Sequence, residues 1–192
     1  MSNKILTLEN DDIKIKINLP IQKNYILKEF TENDEIHQNI AEAESFLQSF
    51  NNSEAIELSK WIKEKIILKF NGKIPEFPIY NNFIYWCNLG INIGSEQNKI
   101  RPAIIIRTQT NSPICTILPL TSMRLNDKKW YHIDLEQKNS TAMIEQVRNI
   151  SKLRILNPKR TNGSINRITL DDLNNINRAL GNYYKLQAFP NK

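Results

Sequence analysis

From Phe83 onward the chain is a succession of short apolar runs, each of strand length: Phe83–Leu89, Ala103–Ile106, Ile114–Leu118 and Trp130–Leu135. Polar or glycine-containing segments separate them, which is the texture of a β-rich domain. A last strand pair is expected through Thr141–Gln146 and Asn149–Ile155. Thr169-Leu170-Asp171-Asp172 then forms a strong helix start, and Leu173, Ile176, Leu180 and Tyr183 give the following helix one apolar face. This part is expected to be a small, mostly antiparallel β-barrel closed by a C-terminal helix, an α+β architecture.

The residues before it have a different texture. Ile13, Ile15, Ile17 and Leu19 alternate with polar residues as in a half-buried strand, stopped by Pro20. Thr31-Glu32-Asn33-Asp34 reads as a helix start, followed by an apolar stripe of Ile36, Ile40, Ala43, Leu47 and Phe50. Asn51-Asn52-Ser53 reads as a turn in which Ser53 caps a second helix. Leu58, Trp61, Ile62, Ile66 and Phe70 would line that helix, and Asn71-Gly72 would end it. A helical hairpin over about 33–70 is therefore expected, inside an N-terminal extension of residues 1–75. Lys73–Tyr80, with Pro75 and Pro78, is the best linker, and a second domain is expected over 80–188.

Charge divides at the same place. Through Tyr80 there are ten lysines, no arginine and thirteen acids, a net −3; beyond it sixteen bases face seven acids, a net +9. Arginine's planar fork matches a phosphate better than lysine's point charge. An arginine-bearing basic domain with an acidic appendage suggests a polyanion-binding module. One hypothesis has Glu9, Asp11 and Asp12 masking the basic part in cis; ordinary charged helix faces are the plain alternative. Cys87 and Cys115 sit in apolar runs without a CxxC, and His37 and His132 are the only histidines. A disulfide framework, a zinc site and a paired-histidine mechanism are thus excluded as expectations, and no cofactor is implied. No run approaches the roughly 18 apolar residues of a membrane-spanning helix. The start MSNKILTLENDD turns acidic at once, so a cytoplasmic protein is expected.

Three segments could carry chemistry. The loop GINIGSEQNKIR, Gly90 to Arg101, is longer than a tight hairpin needs, and Pro102 gives Arg101 a rigid base. Pro119-Leu120-Thr121-Ser122 brings two hydroxyls to a strand end, followed by Arg124, Lys128 and Lys129. Glu145-Gln146-Val147-Arg148 would alternate faces along a strand. Taken alone, each has a bland alternative: a solvated loop, a turn former, and a cross-strand ion pair between Glu145 and Arg148.

Together these segments resemble the MazF/PemK family of toxin endoribonucleases. IYWCNLGINIGSEQNKIRPAIII is similar to that family's first strand, loop and second strand, PLTS to its catalytic threonine segment, and IEQVRNISKLRI to its later strand pair. The resemblance runs from Ile84 to about Ile155, with the closing helix also in place. It implies an SH3-like, CcdB-type antiparallel β-barrel and a homodimer formed through that domain. It further implies metal-independent, sequence-specific cleavage of single-stranded RNA by 2′-hydroxyl attack, and neutralisation by a cognate antitoxin. Arg101 would stabilise the phosphorane and protonate the leaving oxygen, and Thr121, with Ser122 beside it, would activate the 2′-hydroxyl. Glu96 would support the site, and Glu145 is an alternative base. RNA contacts would come from Ser95, Gln97, Lys99, Arg124, Gln146 and Arg148. The chain departs from the family pattern at Asn82-Phe83, where Gly-Asp is usual, and at Met143, where the branch using the later acid has arginine. A non-cleaving RNA-binding or autoregulatory module and a gyrase-targeting, CcdB-like toxin are the competing readings.

Overall fold

The computed structural model describes residues 4–10, 13–19, 25–50, 52–136 and 139–185, with side chains described from Asn33 onward. The chain divides into two compact units, Met1–Ile56 and Glu57–Lys192, and the boundary falls inside a helix. In the first unit, β1 (Lys4–Asn10) pairs antiparallel with β2 (Ile13–Leu19), with Leu6 opposite Ile17. The alternating run is thus a strand, and its partner is the less patterned segment before it. Helix α1 (Tyr25–Phe50) begins well before the expected Thr31–Asp34 start. Ile36, Ile40, Phe46 and Phe50 on it are more than half exposed. Pro20, Asn51, Asp11 and Asp12 and the side chains of Glu9, Thr31 and Glu32 lie outside the described residues, and with them the acidic mask.

Helix α2 (Ser53–Asn71) has the expected end but a different cap. The Asn52 side chain, rather than Ser53, accepts the Ala55 amide at 2.9 Å, so Asn52 is the capping residue. The expected apolar stripe does not form a buried face. Ile62, Ile66 and Phe70 are 39%, 52% and 76% exposed, and Trp61 is the buried residue of the helix. Beyond Asn71 the proline-bearing segment is fastened to the second unit's core. The Tyr85 hydroxyl accepts the Tyr80 amide and donates to the Pro78 carbonyl, and Phe77 stacks on the Tyr85 ring.

The second unit is built on a seven-stranded antiparallel sheet. Its strands are β3 (Ile84–Asn88), β4 (Ile100–Thr108), β5 (Ile114–Thr121), β6 (His132–Asp134), β7 (Thr141–Met143), β8 (Arg148–Ser151) and β9 (Ile155–Pro158). The order is β6-β7-β5-β4-β3-β9, with β8 also on β5. Short β10 (Arg160–Thr161) and β11 (Ser164–Ile165) form a separate hairpin before α3 (Leu170–Tyr183). The pair expected over Thr141–Gln146 and Asn149–Ile155 does not pair with itself. Ile144–Gln146 and Lys152–Arg154 are 3-10 turns, β7 pairs with β5 and β6, and β8 pairs with β5. Trp130 lies outside β6 and is 57% exposed.

The sheet buries both faces, which is why its strands read as continuous apolar runs instead of alternating ones. One core holds Ile84, Ile104, Leu118, Ala142 and Ile144 against Ile176 and Ala179 of α3. The other holds Tyr85, Cys87, Ala103, Ile105, Cys115 and Ile117. Burial pushes both thiols up, Cys115 to about 11, so neither is a ready nucleophile. Thr169 and Asp172 form a reciprocal capping box at the start of α3, as the sequence predicts. Asp172 also accepts the Glu136 amide at 3.1 Å, tying the helix to the segment after β6.

Candidate active site

The Gly90–Arg101 loop and the Glu145–Arg148 segment meet through Gln146, while the Pro119–Ser122 segment ends β5, the strand that pairs with β4, β7 and β8. The β4–β5 ladder runs from Thr108↔Cys115 to Ala103↔Pro119, so Arg101 and Thr121 each lie two residues beyond its last pair, Arg101 in the ladder with β3 and Thr121 in the ladder with β7. Thr121 pairs with Thr141 of β7 and is buried, and its hydroxyl accepts the Met123 amide at 3.2 Å. Arg101 is half-buried in the ladder opposite Cys87. Its Nε donates to the Asn98 carbonyl at 2.7 Å, which fixes the direction of the guanidinium.

The Gly90–Arg101 loop is a folded object, not a solvated strand connection. Leu89 and Lys99 close its neck through Leu89 N to Lys99 O and Lys99 N to Gly90 O, at 2.9 and 2.6 Å. Gly90 and Lys99 both take the left-handed backbone region that this tight neck requires. Asn92 fills the interior, donating its side-chain amide to the Leu89 and Gln97 carbonyls. At the loop's far side the Gln146 side chain accepts the Gln97 amide, donates to Ser95 O, and accepts Arg148 Nη2 at 2.8 Å. Ser95, Gln97, Gln146 and Arg148 are therefore one cluster. Glu96, between Ser95 and Gln97 in the chain, is exposed, as are Ser122 and Arg124 after β5. Lys99 is exposed as well, and its ammonium pairs with Glu57 at 2.7 Å.

Glu145 does not pair with Arg148. Its Oε1 meets His132 Nε2 at 2.8 Å, while His132 Nδ1 meets Asp127 Oδ2 at 2.5 Å. The imidazole is 3% exposed and held between two carboxylates, an arrangement that needs two ring N–H donors or one carboxylic proton. Desolvation pushes Asp127 up, but the Lys129 amide and the His132 ring outweigh it and hold the carboxyl below its ordinary value. Glu145 Oε2 and Gln97 Oε1 are buried without a hydrogen-bond partner within the described residues. Buried orphaned acceptors are uncommon and concentrate where a further group is to be met. The sequence reading missed His132 and Asp127. Residues 127, 132 and 145 meet only because His132 pairs with Met143 across β6 and β7, and no local spacing signals that.

A family model described as "PemK-like, MazF-like toxin of type II toxin-antitoxin system" matches residues 82–183. The chain belongs to this family. Among solved structures, MazF of Deinococcus radiodurans (form I) aligns at 16% identity and a TM-score of 0.47, over 56% of this chain and 97% of that one. The MazE–MazF structure (form II) of the same organism aligns at 16% identity and 0.44, over 56% and 96%. As a MazF-like toxin the chain shows how the usual Gly-Asp before β3 is replaced. Asn82 takes φ 67°, a left-handed value that asparagine tolerates nearly as glycine does, and its amide donates to Ile105 O at 2.7 Å. Phe83, in place of the acid, packs against the second core and the Tyr80 ring. Among the described residues no helix is long and apolar enough to cross a membrane.

Proposed function

We propose that this MazF-like toxin is an endoribonuclease that cleaves single-stranded RNA by attack of a 2′-hydroxyl on the adjacent phosphodiester. The observation that carries the reading is the fixing of Arg101 at the foot of the folded loop, where its Nε donates to the Asn98 carbonyl at 2.7 Å within the region that matches the toxin family. In the reaction the 2′-oxygen bonds to phosphorus, its proton passes to a base, and the bond to the 5′-oxygen breaks as that oxygen takes a proton. A 2′,3′-cyclic phosphate and a 5′-hydroxyl result, and DNA is spared because it lacks the nucleophile. Arg101, with Nε committed to Asn98, turns its Nη groups toward the dianionic phosphorane and supplies the proton to the leaving oxygen. Thr121 orients the attacking hydroxyl; Glu145, with one buried oxygen unpartnered, is the alternative base. Glu96 and Ser122 flank the reacting groups. Ser95, Gln97, Lys99, Arg124, Gln146 and Arg148 contact the strand. The toxin domain, 80–188, works as a homodimer in the cytoplasm and is neutralised by an antitoxin, with 1–75 as its extension.

Purified protein incubated with a long single-stranded RNA in EDTA tests this. Cleavage to cyclic-phosphate ends is expected, and Arg101→Ala should reduce it about 10²–10³-fold, the usual cost of removing one preorganised donor. Intact RNA with the wild-type protein overturns the reading. Inhibited gyrase supercoiling in the same preparation would establish the gyrase-targeting alternative.

A further inference from the structure

The second unit begins at Glu57, so most of α2 belongs with the toxin sheet. Glu57, Trp61 and Glu64 are spaced i, i+4 and i+7, one face of the helix. Every contact described for that face falls on the neck of the Gly90–Arg101 loop or on the residue that holds it. The Trp61 indole lies so close over Gly90 that a Cβ there would stand 2.3 Å from two ring carbons. The Arg154 guanidinium is 5.1 Å from the Trp61 ring centroid and donates to Leu89 O at 2.9 Å. Glu64 Oε1 accepts Asn88 Nδ2 at 2.7 Å, while Asn88 Oδ1 accepts the Gly90 amide at 3.0 Å. Glu57 closes the other side of the neck through Lys99.

We infer that Trp61, Glu57 and Glu64 are positioning residues, and that α2 is a built-in brace holding the catalytic loop in the conformation that aims Arg101. The inference rests on the endoribonuclease reading for its catalytic consequence only. The line of transmission is short. Trp61 seats Gly90, Gly90 O takes the Lys99 amide, and Asn98, next in the chain, takes Arg101 Nε. Ordinary core packing would bury the isoleucines of α2. Here Ile62, Ile66 and Ile67 stay 39–52% exposed while one aromatic and two carboxylates make the contacts. The Glu57–Lys99 pair is half-exposed on both sides, so such a pair adds little by itself and Trp61 carries most of the bracing.

The test compares Trp61→Ala, Trp61→Phe and Glu57→Gln/Glu64→Gln in the full chain by amide hydrogen exchange and by single-turnover cleavage of a long single-stranded RNA. Trp61→Ala is expected to raise exchange across 90–99 about tenfold. It should also lower the maximal single-turnover rate about tenfold or more, because small misplacements are costly, while half-saturation moves less than about threefold. Trp61→Phe should restore most of both, and the double carboxylate variant should fall between. Unchanged loop exchange in Trp61→Ala overturns the brace, as does a slowed variant whose loop stays fully protected. Unfolding of Trp61→Ala shifts the decision to the milder double variant, on the same criteria. Arg101→Ala separates the two readings: it should slow cleavage about 10²–10³-fold while leaving the loop as protected as wild type. If the wild-type protein cleaves nothing, the endoribonuclease reading fails, and the exchange data alone still decide the brace.

Discussion

Replacing His132 by phenylalanine removes both ring nitrogens while keeping a ring to pack edge-on against Tyr131, whose centroid is 4.8 Å away. The imidazole is 3% exposed, and Glu145 has its other oxygen buried without a partner, so the variant leaves that carboxylate with neither oxygen satisfied. Losing a hydrogen bond to a charged, largely buried acceptor costs about 1.5–3 kcal/mol. For a unit of this size that lowers the melting temperature by roughly 4–10 °C. Thermal and urea denaturation of His132→Phe, Glu145→Gln and the double variant measure it. The double-mutant cycle should return a coupling of about 1–3 kcal/mol, because the two residues act as one unit. Additive effects, or a His132→Phe loss under about 0.5 kcal/mol, would refute the idea that His132 and Glu145 act as one hydrogen-bonded unit. RNA cleavage by the same proteins adds the chemical half. If Glu145 is the base, Glu145→Gln should cost about 10²–10⁴-fold in rate, well beyond its effect on folding.

Other expectations follow from the same geometry. Asp172→Ala removes the acceptor of the Thr169 and Glu136 amides at the start of α3 and should destabilise by about 2–4 kcal/mol, seen as a lower urea midpoint. The effect is too large if α3 is merely frayed at its start, so a loss under about 1 kcal/mol would count against the capping role. Asp127 has a folded-state pKa below its unfolded value, so its stabilisation is present above about pH 4 and disappears as pH falls through the lower folded value. Asp127→Asn should therefore flatten that part of the stability–pH curve, and an unchanged acid limb in urea titrations would contradict the pairing. Gly90→Ala forces a left-handed alanine against the Trp61 ring and should slow RNA cleavage more than it lowers the melting temperature.

The toxin half was legible because its strands are buried on both faces and its helix start carries a complete capping box. Arg101 and Thr121 are singled out by the resemblance of the loop and PLTS segments to the family, since each segment taken alone has a bland alternative. The strand register that carries Arg101 opposite Cys87 and Thr121 opposite Thr141 is specified by no local pattern. The Asp127–His132–Glu145 array was illegible for the same reason, being assembled by β6 and β7 from residues up to 18 positions apart. On α2 the periodicity misled. The most hydrophobic stripe is exposed, and the face that docks is chosen by the acids and the one tryptophan that fit a polar loop neck. Asn52 displaced Ser53 as a cap because either residue can serve and the helix began one position differently. Asn82 shows a missing glycine compensated by the one bulkier residue type that takes its backbone angle readily.

Cys87 on β3 and Cys115 on β5 both lie in the second core, with thiols that burial raises well above the range in which they ionise at neutral pH. A protein wired in this way carries its own clock. An alkylating reagent can reach either buried sulfur only when the second core opens, so the labelling rate counts excursions of the sheet itself and ignores motion confined to the loop or to α2. Loosened loops with unchanged thiol labelling would separate a disarmed toxin from an unfolding one without any substrate, and any antitoxin that clamps the sheet would slow the clock.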